Sequence, residues 1–466
     1  MLDDMLDYTQ HIRTRPVWQP LPATLPSLFQ QSLPQHGQPL NELHRRFMDD
    51  ILPYAIGNAH PGFMGWVQGG GTPLGMIAEM LAAGLNANVG GREQAPIAVE
   101  RQILHWMREL FDFPATAQGL FVTGTSIANF IAVVIARTRF LGQQVRERGL
   151  TDQKLTAYAS AGAHGCVAKA MDMAGFGTAA LRKIPVNARF QIDLAKLSEQ
   201  IRSDRDAGYQ PFLIVGSAGT VDVGAIDDLG ALADLADAQQ CWFHIDGAYG
   251  ALGMLSPAIA PRLKGIERAA SIAFDFHKWG QVPYDAGYIL VRDGSDQLAS
   301  FAAPAHYLQR ETRGMSAGSP WPCDLGPDLS RGFRALKTWF TIAGFGAEKL
   351  GQIIHHTCEL ATCLEAGIVQ EPRLELLAPV NLNIVCFRYT GYGNLKNMTV
   401  KQANALNNEI VIRLQESGLV APSSTMLGEQ FAIRAAIVNH RSTRVDIDNL
   451  LLQVLQTGDA LFAHHH

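Results

Sequence analysis

Cysteine is scarce in this chain, with 6 among 466 residues, and none of the six forms a CxxC pair. That scatter argues against a disulfide framework or a thiolate zinc site, and it favours reduced thiols in the cytoplasm. Basic charge is not in excess either, since 38 Lys and Arg face 43 Asp and Glu, for a formal net charge of -5. With no Lys/Arg run and no basic patch interleaved with aromatics, a nucleic-acid partner is not expected. Apolar runs such as FIAVVIA at 130–136 are far too short to cross a bilayer, so no membrane partner is expected. The opening MLDDMLDYTQ is acidic and does not read as a signal peptide. Charged residues make up only 17% of the chain against 47% hydrophobic, which suits a large core or an extensive subunit interface. The terminal His464, His465 and His466 are given no functional weight.

What is present has a clear order. Residues 1–90 carry proline-punctuated pieces (RPVWQPLPATLPSLFQQ) and then helical patterns, and read as an arm or cap. Strand–helix alternation begins at GLFVTGTSIANFIAVVIARTRF. Apolar stretches of strand length then recur as LTAYAS, AALRKIPV, PFLIVGSAG, CWFHID, SIAFDF and AGYILVRD. This predicts an α/β fold over 91–345, a mostly parallel sheet with helices on both faces. The stretch RGFRALKTWFTIAGFGAEKLGQIIHHTCELATCLEA reads as one long helix kinked near Gly344 and Gly346. Strand and helix patterns beyond it predict a small C-terminal α+β domain, over 346–466 in all.

In open α/β sheets ligands gather at the C-terminal ends of strands, so each strand end was read for its chemistry. TGTSIAN opens a helix with small residues, and Thr125 and Ser126 there suit a phosphate, although Ser and Thr at a helix start are usually only caps. His164, in SAGAHGCVAKA, stands where a strand gives way to a helix; its bland reading is a histidine bonded to local backbone. Thr220 follows PFLIVGSAG and by itself says almost nothing. Asp246 ends an apolar strand, which is costly for an acid unless it is paired, and Gly247 and Ala248 beside it leave room for something flat. His277 and Lys278 close SIAFDFHKWG. An ammonium hemmed in by Phe276 and Trp279 tends to shed its proton and become a nucleophile for a carbonyl. A flat cofactor with an aldehyde, a phosphate and a ring nitrogen would use all of these groups, and pyridoxal 5'-phosphate is that cofactor.

HIDGAYG (244–250) and FDFHKWG (274–280), with Asp246 and Lys278 32 positions apart, resemble the paired signatures of the group II pyridoxal-phosphate-dependent amino acid decarboxylases. That family includes the aromatic amino acid, glutamate and cysteine-sulfinate decarboxylases. HPGF, GTSIAN, AHGCVAKA, SAGTVDVGAID and SRGFRALKTWFTIAGFG are similar too, and the likeness runs from about residue 40 to 460. It implies the fold-type I (aspartate-aminotransferase-like) architecture and an obligate homodimer with the N-terminal arm wrapped around its partner. It also implies roles. Lys278 would form the Schiff base, Asp246 would hold a proton on the pyridine nitrogen, and Ala248 and His164 would cover the two ring faces. Thr125, Ser126 and His277 would bind phosphate, with Thr220 near the cofactor's lower edge. Tyr307, in PAHYLQRE, matches the mobile-loop tyrosine of the aromatic enzymes and would return a proton to Cα. The implied reaction is loss of the α-carboxylate of an L-amino acid as CO2, leaving an amine.

The substrate pocket departs from the aromatic enzymes. MGWVQGGGTP keeps Trp66 but adds Gln68 and three glycines, and NANVGGREQAP offers Asn88 and Arg92. A roomier, more polar pocket is expected, with Arg92 available to an acidic side chain and Tyr284 reaching in from the far side. Asp275, an anion beside the phosphate-binding His277, is unexpected unless a cation or hydrogen bond compensates it. The rival readings are another fold-type I activity, such as a carbon–carbon lyase, an aldehyde-forming oxidative deaminase or an aminotransferase, and an inactive homologue acting as a scaffold. Intact Lys278, Asp246 and His164 speak against the last.

Overall fold

The computed structural model describes residues 1–302, 311–391 and 398–463. It divides into two compact units, residues 74–356 and residues 1–73 with 357–466. The short strand β1 (Phe63–Met64) belongs to the second unit. The first holds β2 (Gln118–Val122), β3 (Leu155–Ser160), β4 (Leu181–Ile184), β5 (Gln210–Ser217), β6 (Trp242–Asp246), β7 (Ser271–Asp275) and β8 (Gly287–Val291). The predicted strands all form. Their spatial order is β2-β8-β7-β6-β5-β3-β4.

Five neighbouring strands, from β4 to β7, run parallel, while β8 is antiparallel to both β7 and β2. Among the parallel strands β3 and β7 are buried along their whole length and read as continuous apolar runs, whereas the edge strand β4 exposes Lys183. The helix Thr125–Leu141 packs Ala128, Ile131, Ala132 and Ile135 against Leu120, Val122, Ala273 and Ile289. Its apolar residues therefore face strands that are remote in sequence but adjacent in the sheet.

The second unit is a five-stranded sheet with helices. Its strands β9 (Leu374–Leu376), β10 (Ile384–Tyr389), β11 (Ala421–Leu427) and β12 (Gln430–Ala436) join β1 in the order β1-β11-β12-β10-β9. The sequence reading separated an arm at 1–90 from a C-terminal domain at 346–466. The compact units are drawn differently, because Phe63 and Met64 pair with Ala421 and Pro422 and so tie the N-terminal segment into the C-terminal sheet. The long helix Arg334–Gln370 breaks its helical geometry at Gly346, where φ is 76°, a conformation glycine adopts at little cost.

Candidate active site

The parallel register sets the ends of β5, β6 and β7 side by side, with Ser217 opposite Asp246 and Asp246 opposite Ala273. Asp246 ends β6 and Asp275 ends β7, and His277 and Lys278 lie just beyond. On the far side of β8, β2 leads into Gly124 and the N-terminus of the helix Thr125–Leu141. That entry is drawn in by two glycines. A Cβ on Gly287 would lie 2.3 Å from Gly124 Cα, so the two backbones pass in contact and position 287 admits no side chain without displacement.

Lys278 is less isolated than its sequence setting implied. Its Nζ lies 3.0 Å from Asp275 Oδ2, and its side chain is 23% exposed. The other carboxylate oxygen, Oδ1, accepts a 2.7 Å hydrogen bond from the Thr125 amide at the helix start. Asp275, unexpected in the sequence, is thus compensated by both a cation and a backbone donor, which offsets the cost of burying its charge. His277 is buried, and burial pushes its imidazole below the ordinary value. Its Nδ1 accepts from the Ala286 amide at 2.9 Å, so in the neutral ring the proton sits on Nε2, 3.6 Å from Asp275 Oδ2. A Nε2–H donor suits an anionic oxygen.

Asp246 is buried, and among the described residues no Lys, Arg or His pairs with it. Its Oδ2 accepts from Asn129 Nδ2 at 3.1 Å and its Oδ1 from the Ala248 amide at 3.1 Å; the Cys166 thiol lies 3.8 Å from Oδ2. Burial, with Asp246 adding to it, pushes that thiol up to about 12, so it stays protonated. His164 caps the helix Gly165–Met173, its Nδ1 accepting from the Cys166 amide at 3.2 Å while the ring is exposed. Thr220 sits in a tight turn, its hydroxyl accepting from the Ala225 amide at 3.0 Å. A Cβ on Gly162 would lie 3.9 Å from Thr220 Cγ2, which brings the His164 and Thr220 loops together.

Of the residues proposed for the substrate pocket, Asn88 and Arg92 are spent locally. Asn88 Oδ1 accepts from the amides of Gly90 and Arg331, at 2.9 and 3.0 Å. The Arg92 guanidinium lies 4.5 Å from the centroid of the buried Trp321 ring, a cation–π contact, and its backbone is left-handed with φ 81°. Tyr284 lies against His277 with ring centroids 4.2 Å apart. Trp66 is 51% exposed and Gln68 half-buried, both in the other compact unit. Ser126 is exposed at the helix start. Tyr307 lies outside the described residues.

Sequence reading passed over Asn129, His244 and Ser271, all buried and all bonded in line with Asp246. A signal was there. Trp242, His244 and Asp246 alternate along CWFHID and so share one face of a strand, and Asn129 interrupts the apolar run of TSIANFIAVVIA.

The donor set fits pyridoxal phosphate. Thr125 Oγ1 is buried without a hydrogen-bond partner at a helix N-terminus, where a phosphate would supply one. Asp246 still has acceptor capacity on Oδ1, suited to a ring N–H. A lysine amine stands one strand away from Asp246. These features define a pyridoxal-phosphate enzyme of the fold-type I class.

Comparison with known proteins carries this further. The pyridoxal-dependent decarboxylase conserved domain matches residues 22–390. An aromatic-L-amino-acid decarboxylase from Bacillus atrophaeus is 30% identical over 460 residues, 97% of this chain and 93% of its own length. An L-2,4-diaminobutyrate decarboxylase from Rhizobium meliloti (strain 1021) is 30% identical over 89% of this chain and 81% of its own. The crystal structure of Oryza sativa TDC with PLP and tryptamine superposes with a TM-score of 0.89 at 25% identity, covering 99% of this chain and 96% of that one. The chain belongs to the pyridoxal-dependent decarboxylase family. It is an amino acid carboxy-lyase, and pyridoxal phosphate is its cofactor.

Proposed function

We propose that the substrate is an aromatic L-amino acid, that the products are the corresponding amine and CO2, and that the working form is a homodimer. The observation that carries the site assignment is the placing of Asp246 at the end of β6 and Lys278 just beyond the adjacent parallel strand β7, with the unpartnered Thr125 hydroxyl at the start of the helix Thr125–Leu141. Bound pyridoxal phosphate supplies a protonated ring that accepts the electron pair left at Cα when the carboxylate departs.

The chain's own groups divide the remaining work. Lys278 provides the amine that holds the cofactor's aldehyde carbon. Asp246 accepts from the pyridine N–H and keeps that proton in place. The Thr125 hydroxyl, Ser126 and the His277 Nε2–H would bind the phosphate, while the Thr125 amide stays on Asp275. His164 and Ala248 would pack against the cofactor ring, and Thr220 would lie near it. Tyr307 donates the proton to Cα, a role assigned on its place in the chain alone.

The aromatic preference draws on two supports. Arg92, the cation offered to an acidic side chain, already lies on Trp321. The Bacillus relative is named for aromatic substrates. The dimer draws on the helix Pro73–Leu85, which leaves Met80, Leu81 and Leu85 between 47% and 59% exposed. Six cysteines, none of them in a disulfide, fit a reducing cytoplasm, and among the described residues no helix is long and apolar enough to cross a membrane.

The holoprotein incubated with a panel of L-amino acids tests this reading, with CO2, amine, aldehyde, peroxide and ammonia measured together. Aromatic substrates should give CO2 and amine in equal amounts. A higher kcat/KM for glutamate, cysteine sulfinate or diaminobutyrate would overturn the substrate class, and aldehyde with peroxide from wild-type protein would overturn the product.

A further inference from the structure

Behind Asp246 runs an unbroken file of hydrogen bonds through the core. Asn129 Nδ2 donates to Asp246 Oδ2 at 3.1 Å. Asn129 Oδ1 meets His244 Nε2 at 2.7 Å. His244 Nδ1 meets Ser271 Oγ at 2.8 Å. Trp242 Nε1 donates to Ser271 Oγ at 2.9 Å. The fold builds this file from three elements. Trp242, His244 and Asp246 alternate on one face of β6, Ser271 is the register partner of His244 on β7, and Asn129 reaches in from the helix Thr125–Leu141. Asn129, His244 and Ser271 are each no more than 1% exposed, so no water is needed to complete the file.

Its direction can be derived. An indole N–H only donates, so Ser271 Oγ must accept from Trp242 and has one hydrogen left to give. That hydrogen goes to His244 Nδ1. A neutral imidazole with an acceptor at Nδ1 carries its proton on Nε2, which donates to Asn129 Oδ1. The asparagine amide then presents N–H groups to Asp246 Oδ2. Burial pushes the His244 imidazole down to about 3, which keeps the ring neutral as this order requires.

The reverse order is worse. It would turn the Asn129 carbonyl towards Asp246 and put the His244 proton on Nδ1. Ser271 Oγ would then accept from both His244 and Trp242, leaving its own hydrogen buried without the acceptor that the first order provides, at a cost of about 1–3 kcal/mol. The donor-only indole at the far end therefore biases the whole file.

The geometry points to Asn129 and His244, set in direction by Ser271 and Trp242, as positioning residues that hold Asp246 as an acceptor aimed at the cofactor's ring nitrogen. This inference rests on the reading of Asp246 given above. Bonds in such a file polarise one another, so removing a remote member weakens the last one.

The test uses holoenzyme reconstituted with ring-15N-labelled pyridoxal phosphate, read by 15N NMR alongside steady-state kinetics. In wild type the ring nitrogen should be protonated; a deprotonated nitrogen there would overturn the Asp246 reading and this inference with it, whereas failure of the variants alone would overturn only the inference. With the wild-type signal in place, His244→Leu should shift the nitrogen signal towards the unprotonated form. It should lower kcat by about 10- to 100-fold, the range seen when an orienting partner behind a first-line ligand is lost, with KM within about twofold. His244→Gln, whose amide can donate to Asn129, should recover most of both. Ser271→Ala, close to isosteric, should move both readouts the same way by a smaller factor, and it decides the matter if His244→Leu does not fold. Ring protonation and kcat unchanged in Ser271→Ala, or equal losses in His244→Leu and His244→Gln with an unchanged nitrogen signal, would overturn the inference.

Discussion

At the scale of single residues, the chemistry turns on what surrounds Lys278. The sequence pictured an amine pressed among aromatics. In the fold its Nζ faces Asp275, which also receives the Thr125 amide, so three groups from two distant segments share one charge arrangement. Lys278→Ala should leave no cofactor covalently trapped by borohydride and should cut turnover by at least about 100-fold, the low end of what a positioned proton-transfer group contributes. Peptide mapping of the trapped wild-type protein should find the label on Lys278, and a label elsewhere would end the assignment. Tyr307→Phe should bind substrate normally but release less amine and more aldehyde, with oxygen consumed and peroxide and ammonia formed, as an oxygen electrode with product analysis will show. Asp246 stood out in the sequence because an acid that ends an apolar strand is rare and expensive, and His277 and Lys278 stood out because they follow one such strand. Asn129, His244 and Ser271 did not, because a buried polar residue announces itself only once its partner is known.

At the scale of elements, two buried features carry measurable energy. The first is His244, whose ordinary value near 6.5 is pushed down to about 3 by burial. Below pH 6.5 the unfolded chain takes up a proton that the folded chain refuses, so this contribution is intact above 6.5 and is lost as pH falls towards 3. Between pH 7 and pH 5 the loss is about 2 kcal/mol from this group. His440, also held near 3 by burial, adds in the same direction from the other compact unit. Urea unfolding at several pH values should show the slope, and His244→Gln should flatten it by its share. The second feature is the Arg331–Glu100 pair. Arg331 donates to both Glu100 oxygens, at 3.0 and 3.1 Å, and to the carbonyls of Val89 and Phe121, which ties the loop bearing Asn88 to β2. Arg331→Leu would leave Glu100 buried without its partner, at a cost of about 3–5 kcal/mol in the same unfolding measurement. Strands and helices were readable from period and turn signals. β11 was missed because APSSTML lacks an apolar rhythm, and β1 because two residues carry none.

At the scale of the whole molecule, the apolar helix Pro73–Leu85 exposes Met80, Leu81 and Leu85, which the proposed homodimer would cover. If the proposed homodimer uses this helix, Leu81→Asp with Leu85→Asp should sediment as a monomer where the wild type sediments as a dimer, and a double variant that stays dimeric would move the interface elsewhere. The amino-acid sequence by itself determined the α/β class, the strand inventory of the large unit and the cofactor, while the reaction type came from the resemblance of HIDGAYG and FDFHKWG to the signatures of a known family. Each of those is written in local pattern: the alternation of apolar runs, the small residues at a helix entry, a lysine and an acid at fixed spacing. Tertiary structure alone decided which strands are neighbours, how residues 1–73 join 357–466, what compensates Asp275 and what stands behind Asp246. Those depend on contacts between residues far apart in the chain, and a linear pattern holds no record of which distant groups will meet once burial has removed the water between them.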